Sequence, residues 1–203
     1  MVTPLAAAHA YDLSGGRLCL DFANTVSNRG TDAPVDHLVS YSDLLAWAGQ
    51  AGAAAPALTR ELSKRAAAQP SAARDALARA IVVREALYRV FRAIAGEHRP
   101  RPADMAVLNE QVPSAFARSR LAASGDGFVL KVEASAHDLT SPLGPVMKSA
   151  IDLLTSSDAG RMRACAADTC EWLFLDTTKN RTRRWCDMKV CGNRAKVRRF
   201  RSR

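Results

Sequence analysis

The chain has 203 residues, 48% of them hydrophobic, enough for one ordinary domain with a sizeable core plus a small appended module. Its net charge of +9 is segregated: residues 1–160 carry 16 Lys+Arg against 16 Asp+Glu, and residues 161–203 carry 13 against 4, which predicts an acidic partner, most simply nucleic acid, for the C-terminal end. No apolar run approaches the ~20 residues of a membrane span, the first residues lack a signal peptide's basic start and apolar stretch, and neither a phosphate-binding glycine loop nor a nucleophile elbow occurs, so the expectation is a cytoplasmic, non-enzymatic protein with reduced thiols.

Along the chain, Gly15 and Gly16 introduce residues 17–26, where Leu18, Phe22 and Val26 fall at helical spacing and Leu18, Leu20 and Phe22 at strand spacing; a helix fits better. Within it, Asp21, Asn24 and Thr25 are polar groups on a largely apolar segment, either lining a small-molecule pocket or serving as caps and inter-helix hydrogen bonds. A turn-rich loop spans 28–37. Ser40 or Ser42 then caps a helix carrying Leu44, Leu45 and Trp47, ended by Gly49 to Gly52.

Pro56 opens a short helix that stops near Pro70. Ser71 is expected to cap the longest helix, 72–95, with Leu77, Ile81, Leu87, Val90, Phe91 and Ile94 as its apolar face. Residues 103–118 read as a helix bent at Pro113. The turn SGDG and the alternation of Phe128, Leu130 and Val132 predict a β-hairpin. A last helix at roughly 145–156 turns Val146, Ile151 and Leu154 inward, and residues 156–161 read as a hinge to the C-terminal segment. The fold class is therefore mainly α with a small β-hairpin. Residues 1–160 are expected to form a domain that folds alone, joined to a module at 161–203.

In that module Cys165 and Cys170, then Cys186 and Cys191, form two pairs with four residues inside each and fifteen between them. Such spacing lets both thiolates of a pair reach one ion, and four thiolates in a tetrahedron select zinc. Four cysteine ligands leave no open coordination position, so the zinc is structural and holds a zinc-ribbon or treble-clef-like module too small to be stable alone. An apparent strand at 171–176 places Trp172 and Phe174 beside the site, and Trp185 either packs on the knuckle or stacks on a base.

After Cys191 a basic helix is expected, with Asn193 as its cap and Val197 and Phe200 turned toward the knuckle. Its Arg194, Lys196, Arg198, Arg199, Arg201 and Arg203 form one basic group; Lys179, Arg181, Arg183 and Arg184, in the loop before Cys186, form a second. Arg183, Arg184 and Arg194, nearest the ligands, are candidates for base contacts. His9, His37, His98 and His137 lack ligand spacing, and Cys19 reads as a core thiol.

The first cysteine pair, the run EWLFLDTTKNRTRRWC and the run CGNRAKVRRF resemble the CGNR zinc finger family of bacterial proteins. The runs GGRLCLDFANTVSNRG and YSDLLAW resemble the ABATE domain, which commonly precedes that finger. Together the resemblances imply a stress-response transcription regulator with a DNA-binding zinc finger; the body is expected to serve as a dimerisation or sensory domain. The alternative is a module that binds RNA, or an adaptor that docks on the transcription machinery.

Overall fold

The computed structural model describes residues 10–201; His9, Arg203 and most of the segment considered as a signal peptide lie outside the described residues. Helix α1 (Leu18–Ala23) is followed by a two-residue ribbon, β1 (Val26–Ser27) with β2 (Val35–Asp36), then by α2 (Tyr41–Gln50), α3 (Pro56–Ala68) and α4 (Pro70–Ala95). Next come α5 (Pro102–Ala117), the hairpin β3 (Ser119–Ser124) and β4 (Gly127–Val132), and α6 (Leu143–Leu154). A 3-10 turn (Ser157–Arg161) leads into β5 (Met162–Ala164), β6 (Leu173–Leu175), a π-helical turn (Met188–Gly192) and α7 (Asn193–Arg201). The three two-stranded sheets are all antiparallel.

Local chemistry sets the boundaries. At α2 it is Ser40 that caps: its hydroxyl accepts from the Asp43 N–H while the Asp43 carboxylate accepts from the Ser40 N–H, a reciprocal pair that satisfies two orphan donors. At α4 the expected Ser71 cap is replaced by Pro70 in the first helical position. Proline has no N–H to satisfy there and its φ is preset, so the helix begins earlier and Ser71 falls inside the first turn. The helix expected over 17–26 stops at Ala23. Thr25 donates its hydroxyl to the Phe22 carbonyl, and Asn24 turns its amide to a distant partner, so Val26 passes into the ribbon.

The 26 residues of α4 form a rod of ~39 Å, against which α1, α2, α3 and α5 pack. Leu87, Val90 and Phe91 of the expected apolar face are buried, and Val83 with them; Leu77, Ile81 and Ile94 are half-buried, and toward the N-terminus Ala73, Ala76 and Ala80 are the buried residues. Small side chains there let neighbouring helices approach closely. Phe22 and Trp47, both wholly buried, meet with ring centroids 4.9 Å apart. The ribbon is fastened to α4 by charge: Arg84, 2% exposed, grips Asp36 with two hydrogen bonds of 2.6 and 2.7 Å, and Arg29 grips Glu85 with 2.8 and 2.9 Å.

The segment expected to be a hinge is an ordered 3-10 turn, tied by Arg17 to Asp158 at 2.7 Å. The strands beyond this turn are not separate from the helical core. Met162, Leu173 and Leu175 belong to the same buried cluster as Leu20, Phe22 and Leu87, while Phe174, between the two leucines, faces the cysteines. The alternation of a strand thus gives one face of β6 to each buried cluster, so both clusters draw on this strand. Among the described residues no helix is long and apolar enough to cross a membrane.

Candidate metal centre

The first cysteine pair sits on the connection between β5 and β6. The Cys165 N–H donates to the Trp172 carbonyl at 2.7 Å and the Cys170 N–H to the Ala167 carbonyl at 2.9 Å, which curls the chain so that both sulfurs face inward. Gly30 of the ribbon loop presses on this knuckle. A Cβ at that position would lie 2.3 Å from the Asp168 carbonyl oxygen, so only glycine permits the approach. In the second pair, Cys186 precedes the π-helical turn and Cys191 lies within it. Asp187, not Asn193, is the residue that caps the helical segment, accepting from the Lys189 and Val190 N–H groups at 2.5 and 3.1 Å. Asn193 already lies in the helix, and its side-chain amide donates back to the Lys189 carbonyl.

All four sulfurs lie within 4.8 Å of one another, with Cys170 to Cys186 and Cys186 to Cys191 both at 3.6 Å. A regular tetrahedron with Zn–S bonds of ~2.3 Å has edges of ~3.8 Å, so the cage fits zinc. The thiols also show what they lack on their own. Hydrogen bonds from Cys170 and Cys186 pull the Cys165 thiol down, while hydrogen bonding with Cys165 pushes both Cys170 and Cys186 up. Without a cation, one anion in the cluster suppresses the ionisation of its neighbours; a dication removes that conflict and lets all four act as thiolates. These residues hold one structural zinc ion.

Around the cage, Phe174 is wholly buried and Trp172 and Trp185 pack against the cysteines, so Trp185 is a packing residue. The Arg183 guanidinium donates to the carbonyls of Trp185 and Cys186 and lies 4.5 Å from the Phe174 ring centroid, so its donors are committed to the fold of the loop. Asp176, fully buried, accepts from the Thr178 hydroxyl and N–H and from the Arg183 N–H, setting the course of the loop that carries Lys179 and Arg181.

Lys179, Arg181, Arg184, Arg194, Lys196, Arg198, Arg199 and Arg201 are all exposed. Both basic segments are tied to the first knuckle, the loop through the Ala166 N–H to the Arg184 carbonyl at 2.8 Å and α7 through Arg198 to Asp168 at 2.5 Å. Val197 and Phe200, expected to face the knuckle, are instead 51% and 83% exposed. Helix α7 buries none of its residues, because short-range cage contacts end at Gly192.

Asp21, Asn24 and Thr25 do line a cavity, of about 180 Å³, which lies against the inner side of the module. Asn24 is also the main polar link between the two parts: its amide accepts from the Leu173 N–H at 2.9 Å and donates to the Leu173 carbonyl at 2.8 Å. The sequence reading missed Tyr11, Asp12, Trp47 and Trp172 in this wall, and it set aside His37, which lines the cavity with its ring hydrogen-bonded to Ser27 at 2.8 Å. Their spread over 160 residues left no local pattern to find. Cys19 is fully buried, and burial pushes its thiol up to about 12, as fits an inert core residue.

The arrangement defines a helical domain joined to a C-terminal zinc finger with a basic terminal helix. The chain belongs to the ABATE family, described as "Putative stress-induced transcription regulator", whose match covers residues 16–157; residues 161–203 match the CGNR zinc finger. Comparison with curated proteins gives no match.

Proposed function

We propose that the protein is a transcription regulator that binds DNA through its zinc module. The observation that supports this reading is that one rigid knuckle anchors both exposed basic segments, through Ala166 to Arg184 and through Asp168 to Arg198. A positive surface fixed to a metal cage offers phosphates a set of pre-positioned donors, where a free tail would have to be ordered on binding. With Arg183 committed to the loop, Arg184 and Arg194 are the residues proposed for base edges, and Lys179, Arg181, Lys196, Arg198, Arg199 and Arg201 for phosphates. Arg198 would exchange Asp168 for a phosphate. The exposed Leu121 (76%) and Phe128 (81%) lie on one face of the β3–β4 hairpin, across from each other's neighbours, and this face is proposed for dimerisation.

The test is a salt titration of binding by the zinc-loaded protein to random and selected duplexes. For about 5 phosphate contacts, the logarithm of the association constant falls against the logarithm of salt with a slope of roughly −4 to −5. Arg201→Ala flattens the slope by about 1 on all sequences, whereas Arg194→Ala costs ~1–3 kcal/mol at the preferred site alone. The exposed Val197 and Phe200 favour a second reading, in which α7 docks into an apolar groove of a protein partner. A salt-independent affinity for DNA would reject the first reading in favour of the second.

A further inference from the structure

The cavity behind the module carries a second inference. Its wall holds two carboxylates, Asp12 and Asp21, the aromatic residues Tyr11, Trp47 and Trp172, and His37, whose ring is hydrogen-bonded to Ser27; among the described residues it holds no lysine or arginine. Asp21 is 8% exposed and, among the described residues, makes no ion pair; its only hydrogen-bond donor there is the Gly15 N–H at 2.8 Å. Gly15 is required for that contact, since a Cβ would lie 2.9 Å from the Asp21 oxygen. A buried carboxylate without a counter-charge is costly, and this one belongs to the wall of a cavity.

The volume, about 180 Å³, far exceeds the ~10–15 Å³ that admits one water and falls below the ~300–1,000 Å³ of drug-sized sites. An occupant of a few heavy atoms fits. Carboxylates and aromatic faces together favour a cation. We propose that this cavity binds a small organic ammonium ion, with the ammonium against Asp21. Burial also raises Asp21 to about 6, with Gly15 opposing and Asp12 adding to the rise, the behaviour of a carboxylate waiting for a positive partner.

The site is well placed to act on the module. Trp172 lines it, donates its indole N–H to the Val26 carbonyl at 2.7 Å and lies two residues from Cys170. An adjoining cavity of about 360 Å³ shares Asp12, Ser27, His37 and Trp172 and continues to Cys170, Cys186 and Arg194. That the occupant is the effector of a DNA-binding regulator rests on the function proposed above; that it binds does not, so the test contains no nucleic acid.

Isothermal titration of the zinc-loaded full chain at about pH 7.5, where both Asp21 and its ligand are charged, compares ethanolamine with ethylene glycol and acetate. Saturable binding of ethanolamine is expected, with at least tenfold weaker binding of the other two. Asp21→Asn should lower the ethanolamine affinity about tenfold or more. Circular dichroism confirms that the variant is folded. No binding of ethanolamine, equal binding of ethylene glycol or acetate, or an unchanged affinity in folded Asp21→Asn would each overturn the proposal. If Asp21→Asn does not fold, the three-ligand comparison on the unaltered chain decides it.

Discussion

Replacing Asn24 by alanine tests how the zinc module is held. Asn24 is 3% exposed and Leu173 wholly buried, and the two are joined by hydrogen bonds of 2.8 and 2.9 Å in which the side-chain amide imitates a strand partner. Alanine leaves the N–H and carbonyl of the wholly buried Leu173 without their protein partners. At ~1–3 kcal/mol for each buried group left unpaired, the loss comes to about 2–6 kcal/mol, a large share of a typical net stability of ~5–15 kcal/mol. Asn24→Asp separates the two bonds: it keeps an acceptor for the N–H but sets a carboxylate against the Leu173 carbonyl, so it should be no better than alanine. Urea unfolding of the zinc-saturated full chain measures the loss, and the rate of zinc transfer to a chelator shows whether the cage loosens with it. A stability change under ~0.5 kcal/mol, as for an ordinary surface substitution, would refute the reasoning.

Three further outcomes are expected. Elemental analysis should give one zinc per chain, and Cys186→Ser should lose the metal while α1 to α6 keep their helical signal; a folded, reduced, metal-free protein would contradict the assignment. Truncation after Gly160 removes Met162, Leu173 and Leu175 from the main core, each a side chain whose loss costs ~2–5 kcal/mol even when only truncated to alanine, so the body alone should aggregate or unfold at low urea; a body of undiminished stability would show that the shared core is dispensable. Asp21 is raised from 3.8 to about 6 in the folded chain, so the folded state holds that proton more tightly than the unfolded one: the stabilisation is full below about pH 4 and is lost as pH rises through about 6. Asp21→Asn, which is neutral throughout, should therefore be more stable than the unaltered chain by ~1–3 kcal/mol above about pH 7 and equal to it below about pH 4; equal urea midpoints across that range would remove the claim.

The metal ligands were legible because ligand chemistry fixes their spacing: two sulfurs must reach one ion across a short loop, and that constraint is written locally as Cys165 with Cys170 and Cys186 with Cys191. Helix positions were legible for the same reason, since periodicity is local, and the errors fall where two local signals compete. Ser71 and Asn193 are both good caps by residue type. Pro70 and Asp187 outrank them because a proline start and a carboxylate accepting two N–H groups come earlier in the chain. Val197 and Phe200 have the spacing of a packed face, yet spacing shows only that a face exists, not that anything covers it.

The relation between the two parts was illegible for a different reason. Leu173, Phe174 and Leu175 are three consecutive hydrophobic residues, and such a run reads equally well as the core of a small module or as a strand shared between two cores. Only the partner decides, and the partner is Asn24, 149 residues away, in a segment where its polarity suggested a pocket or a cap. The structure makes it both a wall of the cavity and the clasp on β6. Because the same strand sends Phe174 to the zinc cage and its neighbours to the helical core, a shift of β6 cannot alter one core and spare the other. Packed interiors resist continuous deformation, so movement at this strand would be transmitted between the cavity and the cage. A chain built from a sensing domain and a finger on a free hinge would have no such coupling; here three residues of strand supply it.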